Sequence, residues 1–362
     1  MRIGSIVSEA WRNLVSGTSR AGWLAAGVVL VAVVLAGVDV RTIVDLQQRA
    51  AAYDSSGGSV RVVAAEKQVA ASSCEALGRL SGVGGAGAWR ARRPVTLTAV
   101  AQHAVPAYEA TPGLAQVLRV RAGAETTGGG LDAGVWLPED LATRLGVRPG
   151  SVLASAEGPL RVSGTYRYPD DGRDSRFAYA VLVPVPVAGR FDACWARVWP
   201  ANDQVDALLA TAPEVVTEDP KPVSTGRLNN SFGDRLDAHA ELLQRPTRFT
   251  ALGAALAAAL LAAVITLRRR LEHASALHAG VSRSARLAIA LTETLAWSVA
   301  ALLVAAAAVV GLCWRIAPAE PLVVAAFQLR WLVLIPPAAV VGTTIALTTI
   351  RERHLFGYFK DR

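Results

Sequence analysis

Four stretches of this chain run without charge for the thickness of a bilayer, and that constrains its architecture more than any other feature. Crossing about 30 Å of hydrocarbon takes about 20 apolar residues in a helix. The uncharged stretches are 21–38, 249–267, 294–314 and 331–350. With 52% hydrophobic residues and a mean hydropathy of +0.34, the chain is too apolar for an ordinary soluble protein and too polar to lie wholly in lipid. Buried helices of a soluble core are usually shorter than these runs. The first stretch follows Arg2, Arg12 and Arg20, as a signal peptide would. Its apolar run exceeds a signal core and no A-x-A site precedes Asp39, so an uncleaved anchor is expected.

Charge sets the expected orientation, because basic residues concentrate on cytoplasmic loops. Arg2, Arg12 and Arg20 precede the first stretch; Arg268, Arg269, Arg270, Arg283 and Arg286 lie between the second and third; Arg351, Arg353, Lys360 and Arg362 follow the fourth. Against these 12 basic residues stand only Glu9, Glu272, Glu352 and Asp361, a net of +8. Segment 39–247 holds 22 basic and 23 acidic residues. The basic character of the chain is therefore a topology signal, and nucleic acid is not an expected partner. The expectation is an integral α-helical membrane protein of the bacterial plasma membrane, with both termini cytoplasmic and a large extracytoplasmic α+β domain between the first and second helices. Its expected parts are an interfacial helix at 1–20, spans at 21–38, 248–267, 287–314 and 331–350, and the outer domain with stalk helices at 39–247. A cytoplasmic loop at 268–286, a short external loop at 315–330 and a cytoplasmic tail at 351–362 complete it.

In the outer segment, strands are expected at 60–64, 94–100 and 195–199, and helices at 39–53, 65–80, 137–145, 203–211 and 235–244, with a β lobe over 115–185. The glycine run 82–87 superficially resembles a nucleotide loop. It follows an expected helix rather than an apolar strand, so it reads as a plain loop. Cys74 and Cys194 both fall in this segment, where a disulfide would persist; they are either bonded to each other or free and buried. Cys313 is read as a packing residue. No P-loop, H-E-x-x-H or C-x-x-C occurs, and His103, His239, His273, His278 and His354 show no ligand spacing on one helix face. Asp170, Asp171 and Asp174 form a cluster better read as a solvated turn than as a cation site. No cofactor, metal or enzymatic activity is expected.

The most informative segment is 268–293, RRRLEHASALHAGVSRSARLAIALTE. It contains a short basic helix, a break at Gly280, a polar turn and then the third span. Such a helix, held between two spans, suits docking into a cleft on a cytoplasmic partner. The segment is similar to the loop between the second and third helices of FtsX-like permeases of the MacB type in ABC transporters, R-E-I-x-x-x-x-A-x-G-[AV]-[SR] followed by an acid. Glu272 matches the acid of the R-E pair, Gly280-Val281-Ser282 the turn, and Glu293 the later acid, at intervals of eight and thirteen residues. Leu271 departs from the family's usual Arg. The run Glu9-Ala10-Trp11-Arg12-Asn13-Leu14 resembles the family's E-A-L-R-N-L start, and 137–153, LPEDLATRLGVRPGSVL, resembles a stretch of its outer domain. The resemblance covers most of the chain, except the short aromatic tail.

The resemblance implies a permease subunit that works with an ABC ATPase in trans, as a homodimer or heterodimer of permease chains. It implies mechanotransmission to the outer domain rather than passage of substrate through the membrane. The ATPase-coupling residues it marks are Glu272, His278, Gly280, Val281, Ser282 and Arg283, with Glu9, Trp11, Arg12 and Asn13 as an N-terminal interfacial motif. The alternative class is a signalling or scaffold protein that regulates a cell-wall hydrolase or another extracytoplasmic partner. Glu293 is expected to act as a structural anchor, pairing with Arg286 seven residues back or with polar groups at the inner surface. Pro336-Pro337 should kink or break the fourth span.

Overall fold

A computed structural model describes residues 3–100, 103–122, 134–214, 222–231 and 236–351. They divide into two units, one of residues 1–47 and 241–362, the other of residues 48–240.

The first unit is helical. It contains α1 (Ile3–Val15), most of α2 (Ala21–Ser55), the end of α7 (Ala238–Gln244), α8 (Thr250–Arg268), α9 (Arg270–His278), α10 (Arg283–Ile316), α11 (Pro321–Leu332) and α12 (Ile335–Thr349). Among the described residues, four helical stretches are long and apolar enough to cross a membrane: Ala21–Ser55, Pro246–Arg268, Arg283–Ile316 and Pro321–Thr349. Their buried positions recur every three to four residues. Leu24, Val28, Ala32, Ala36, Val40 and Ile43 line one face of α2, Ala254, Ala258 and Ala262 one face of α8, and Ala301, Ala305, Val309 and Cys313 one face of α10. The opposite faces expose Leu30 and Val34, Leu256 and Leu260, and Leu303 and Val304. Small residues inside and large aliphatic ones outside is the reverse of a soluble bundle. In lipid, helices gain by close packing of small side chains, since an exposed leucine loses nothing there.

Polar contacts lock this packing. Thr294 and Thr343 share a buried hydrogen bond of 2.9 Å between α10 and α12. Asp39 on α2 is 2% exposed and accepts from Arg245 Nε at 2.8 Å and from Gln328 Nε2 at 2.6 Å.

The fourth crossing differs from expectation. Residues 315–330, expected as an external loop, include most of α11, and the break falls at Val333-Leu334. Pro336-Pro337 lie in the first turn of α12, where a missing N–H costs nothing. Gln328 and Arg330 interrupt the apolar run and concealed this helix. Gln328 is buried against Asp39, and Arg330 stacks 3.8 Å from the centre of the Phe327 ring. The third helix also starts earlier, at Arg283.

The second unit is built on a sheet that numbers ten strands among the described residues: β1 (Val60–Ala70), β2 (Val83–Val95), β3 (Val105–Ala110), β4 (Arg121–Ala122), β5 (Val135–Pro138), β6 (Val152–Ser155), β7 (Gly158–Tyr166), β8 (Val181–Pro184), β9 (Arg190–Val198) and β10 (Ser224–Arg227). The order is β10-β1-β9-β2-β3-β8-β5-β7-β4, with β6 on β7. Pairing is antiparallel except at β3/β8 and β5/β7. Neighbouring residues on a strand point to opposite faces. Trp89 and Trp195 pack with Phe177, Leu114 and Val117 on one side, the last two from α4 (Gly113–Leu118). Ala88 and Cys194 pack on the other side with α3 (Ala71–Leu77) and α6 (Asp203–Ala210). A disulfide joins Cys74 of α3 to Cys194 of β9. The remaining helix, α5 (Glu139–Arg144), packs in a third cluster with β5 and β7.

Three expectations fail here. Residues 94–100, expected as a strand, hold only the end of β2 and then the 3-10 turn Thr98–Val100. Residues 65–70 continue β1 instead of starting a helix, because the pairing with β9 resumes at Val69 after a bulge. The glycine run 82–87 is mostly strand, with Gly85 opposite Arg197 and Gly87 opposite Trp195; its lack of side chains leaves room for α4. The end of α2 belongs to this unit. Asp54 accepts from Ser59 Oγ at 2.6 Å and Arg197 Nη1 at 2.8 Å, and Arg119 also pairs with it.

The tightest helix approach in the first unit is at Gly342 of α12, where a Cβ would lie 2.0 Å from the Ala259 carbonyl oxygen of α8. Gly342→Val should lower the thermal midpoint of the detergent-solubilised chain, as overpacking by about 1–3 kcal/mol would. A midpoint equal to wild type in scanning fluorimetry would show that α8 and α12 are not in contact there.

Candidate functional site

The residues marked by the sequence collect around one junction of the helical unit. Helix α9 stops by backbone geometry: Val281 N donates to Ala276 O at 3.0 Å and Gly280 N to Leu277 O at 3.1 Å, the double bond of a glycine-closed helix end. Gly280 adopts φ +88°, the left-handed region that only glycine enters without strain. Two residues on, Ser282 caps α10, its Oγ accepting from Ala285 N at 3.2 Å. The chain thus ends one helix and starts the next within residues 279–282, and His278, Gly280, Ser282 and Arg283 are all exposed.

Beneath this turn lies a charged network. Glu293 of α10, its side chain 6% exposed, accepts from Asn13 Nδ2 of α1 at 2.6 Å and from Arg269 Nη1 at 2.7 Å. Arg269, between α8 and α9, also donates Nε to Glu272 of α9 at 2.8 Å. Burial works against the Arg269 charge, but Glu272 and Glu293 together hold its pKa above the ordinary guanidinium range. The four side chains join the N-terminal helix, the short helix and the third long helix. The cavity left around Ser19, Arg269, His273 and Glu293 is only about 20 Å³, so the junction is closely packed.

Glu293 therefore pairs with Arg269 rather than Arg286, which donates Nη2 to the Leu347 carbonyl at 3.1 Å. Seven residues is nearly two turns, a span of about 10 Å that Arg286 does not bridge, whereas α8 delivers Arg269 alongside. From sequence alone Arg269 reads only as a topology charge. The available signal was its spacing, one turn before Glu272 on the same face. Of the N-terminal motif, Asn13 enters the network. Glu9 and Arg12 meet only at 3.9 Å on the surface, and Trp11 is exposed with Val7 and Val15 at four-residue intervals. Cys74 and Cys194 belong to the other unit. There, Asp171 pairs with Arg173 and Asp174 with Arg176, and among the described residues no group of three or more His, Cys, Asp or Glu could hold a metal.

No family model and no curated protein matches the chain. Among solved structures it is similar to the periplasmic region of MacB from Actinobacillus actinomycetemcomitans, at 12% identity and a TM-score of 0.31, over 42% of this chain and 81% of that one. It is also similar to the extracellular domain of the noncanonic ABC-type transporter YknZ from Gram-positive bacteria, at 12% identity and a TM-score of 0.28, over 41% and 88%. A domain of a protein assigned as a permease in Porphyromonas gingivalis gives 14%, 0.31, 51% and 97% in the same order. Likenesses at these identities and TM-scores carry no activity over to this chain, so its role has to be read from its own residues.

Two outcomes test the junction. Glu293→Ala leaves the buried Arg269 with only the exposed Glu272 as a partner and Asn13 Nδ2 without its acceptor; losing one partner of a buried pair costs at most about 3–5 kcal/mol, so the thermal midpoint should fall clearly, and an unchanged one would remove the network as a fastening. His273 is held neutral by burial and by the Arg269 and Arg286 guanidinium groups, its pKa lowered to about 4 from 6.5. Between those values the unfolded chain takes up a proton that the folded chain does not. Stability should be full above pH 6.5 and decline as pH falls toward 4. A His273→Gln variant should decline less over that window in pH-resolved melting.

Proposed function

We propose that the chain is the permease subunit of an ABC transporter of the FtsX/MacB-like kind, driven by a separate ATPase subunit. The observation that carries this reading is the Asn13–Glu293–Arg269–Glu272 network under an exposed turn. A partner that pushes α9 moves Glu272, and through Arg269 and Glu293 it moves α1 and α10 with it. The exposed side chains His278, Ser282 and Arg283 form the docking face, Gly280 sets its angle, and Val281 closes the helix end. The turn, the N-terminus and the C-terminal tail are then cytoplasmic, and the sheet unit is inserted after the first span on the other side. Two permease chains, identical or related, assemble with two ATPase chains in the plasma membrane.

The sheet unit receives the motion. Helix α2 runs unbroken from the apolar span to Ser55, where the Asp54 pairs hold its end to Arg197 of β9 and to Arg119. Mechanotransmission of this kind needs no substrate path through the helices, and the chain itself does no chemistry.

The test is Gly280→Pro. Proline fixes φ near −65° and lacks the N–H that Gly280 donates to Leu277 O, so the turn cannot keep its geometry. The variant should insert in the membrane at wild-type level, while ATP hydrolysis by the co-purified ATPase no longer drives export. Normal export by the variant would refute the role of the turn. Copurification from the native host of a cell-wall hydrolase in place of an ATPase would instead favour the scaffold class.

A further inference from the structure

The buried arginines of the helical unit are not treated alike. Arg245 is matched by Asp39, and Arg269 by Glu272 and Glu293. Arg286 of α10 is 8% exposed, yet no carboxylate among the described residues reaches it. Its Nη2 donates to the Leu347 carbonyl at 3.1 Å, while Nε and Nη1 are buried with no hydrogen-bond partner among the described residues. A buried guanidinium with unused donors is costly unless an acceptor meets it.

Arg286 lines a cleft of about 690 Å³ between α9, α10 and the end of α12. Among the described residues, the charged side chains lining the cleft are Arg283, Arg286 and Arg351. Its other walls are largely aliphatic, among them Leu287, Leu347 and Ile350. The cleft lies where one candidate membrane span begins, α10 at Arg283, and where another, α11 with α12, ends at Thr349. Guanidinium groups recognise phosphate oxygens through paired N–H donors, and basic pockets between membrane helices hold anionic head groups. An aliphatic wall beside such donors suits an acyl chain.

We propose that this cleft binds an anionic phospholipid, its charge balanced by Arg283 and Arg351 and its phosphate meeting the Arg286 guanidinium, whose buried Nε and Nη1 it reaches once the side chain turns toward the cleft. The lipid stands where a carboxylate stands at Arg245 and Arg269, and it fixes α12 against the start of α10. A water-soluble phosphate would satisfy the same donors but would leave the aliphatic walls uncovered, which is why a lipid is favoured.

The experiment is a native mass-spectrometry titration of the full-length chain in detergent, without any ATPase, using phosphatidylglycerol, phosphatidylcholine and inorganic phosphate as probes. Wild type should bind phosphatidylglycerol in preference to phosphatidylcholine. Replacing the two exposed arginines together, Arg283→Gln with Arg351→Gln, should weaken phosphatidylglycerol by about tenfold or more and leave phosphatidylcholine unchanged. Arg286→Gln should do the same if it folds; the double variant decides the matter if it does not. Equal binding of the two lipids, or a double variant that binds like wild type, overturns the site. Inorganic phosphate displacing the lipid at equal concentration would overturn the lipid assignment in favour of a soluble anion.

Discussion

The helical unit depends on two buried carboxylates. Asp39 pairs with Arg245 just before α8, and Glu293 with Arg269 just after it. Between these ends α8 is almost entirely alanine, leucine and other apolar residues. Small apolar surfaces pack closely but specify register weakly, because one alanine face fits another in several places and lipid competes without penalty. A buried charge does not tolerate such slippage: moved away from its partner, it is left uncompensated in a poorly polar surrounding. The pairs therefore decide which helices lie beside α8 and at what height, and alanine packing fills in the contact.

The second of these pairs has more work than the first. Asp39 draws in Arg245 and Gln328 and so fastens α2, the start of α8 and α11. Glu293 is shared between Asn13 and Arg269, and Arg269 in turn between Glu293 and Glu272. A short helix with no buried charge of its own is thereby made part of the bundle. Its outer end stays exposed at a turn whose geometry is set by Gly280 and Ser282. Rigid attachment on one side and an open polar turn on the other is the arrangement a docking element requires.

Much of the site could be read in the sequence, because its signals are local. A glycine with a serine two residues on marks a helix stop and a helix start whatever the surroundings, and Glu272, Gly280 and Glu293 stand at fixed intervals along the chain. Of the two partners the sequence offers Glu293, a polar group of the N-terminal helix is met by Asn13, while Arg286 is not reached, for the same reason. A sequence offers Arg286 as a neighbour on the same helix, whereas the Arg269 side chain arrives from the preceding one. The fourth helix was read too short because Gln328 and Arg330 look like solvent-facing residues until Asp39 and Phe327 are placed beside them. In the sheet unit, 65–70 has helical composition in isolation and becomes strand through its pairing with β9.

By itself the sequence determined the apolar helices, the intervening polar segment and the position of the turn, because hydrophobic length and glycine and serine chemistry act within a few residues. Tertiary structure decided which carboxylate meets which guanidinium, that the glycine run is strand, that Cys74 reaches Cys194, and that Arg286 is buried with two donors lacking an acceptor among the described residues. Each of these depends on groups far apart in the chain. Whether a charge or a strand edge is satisfied is set by what packing brings against it, and no local pattern records that.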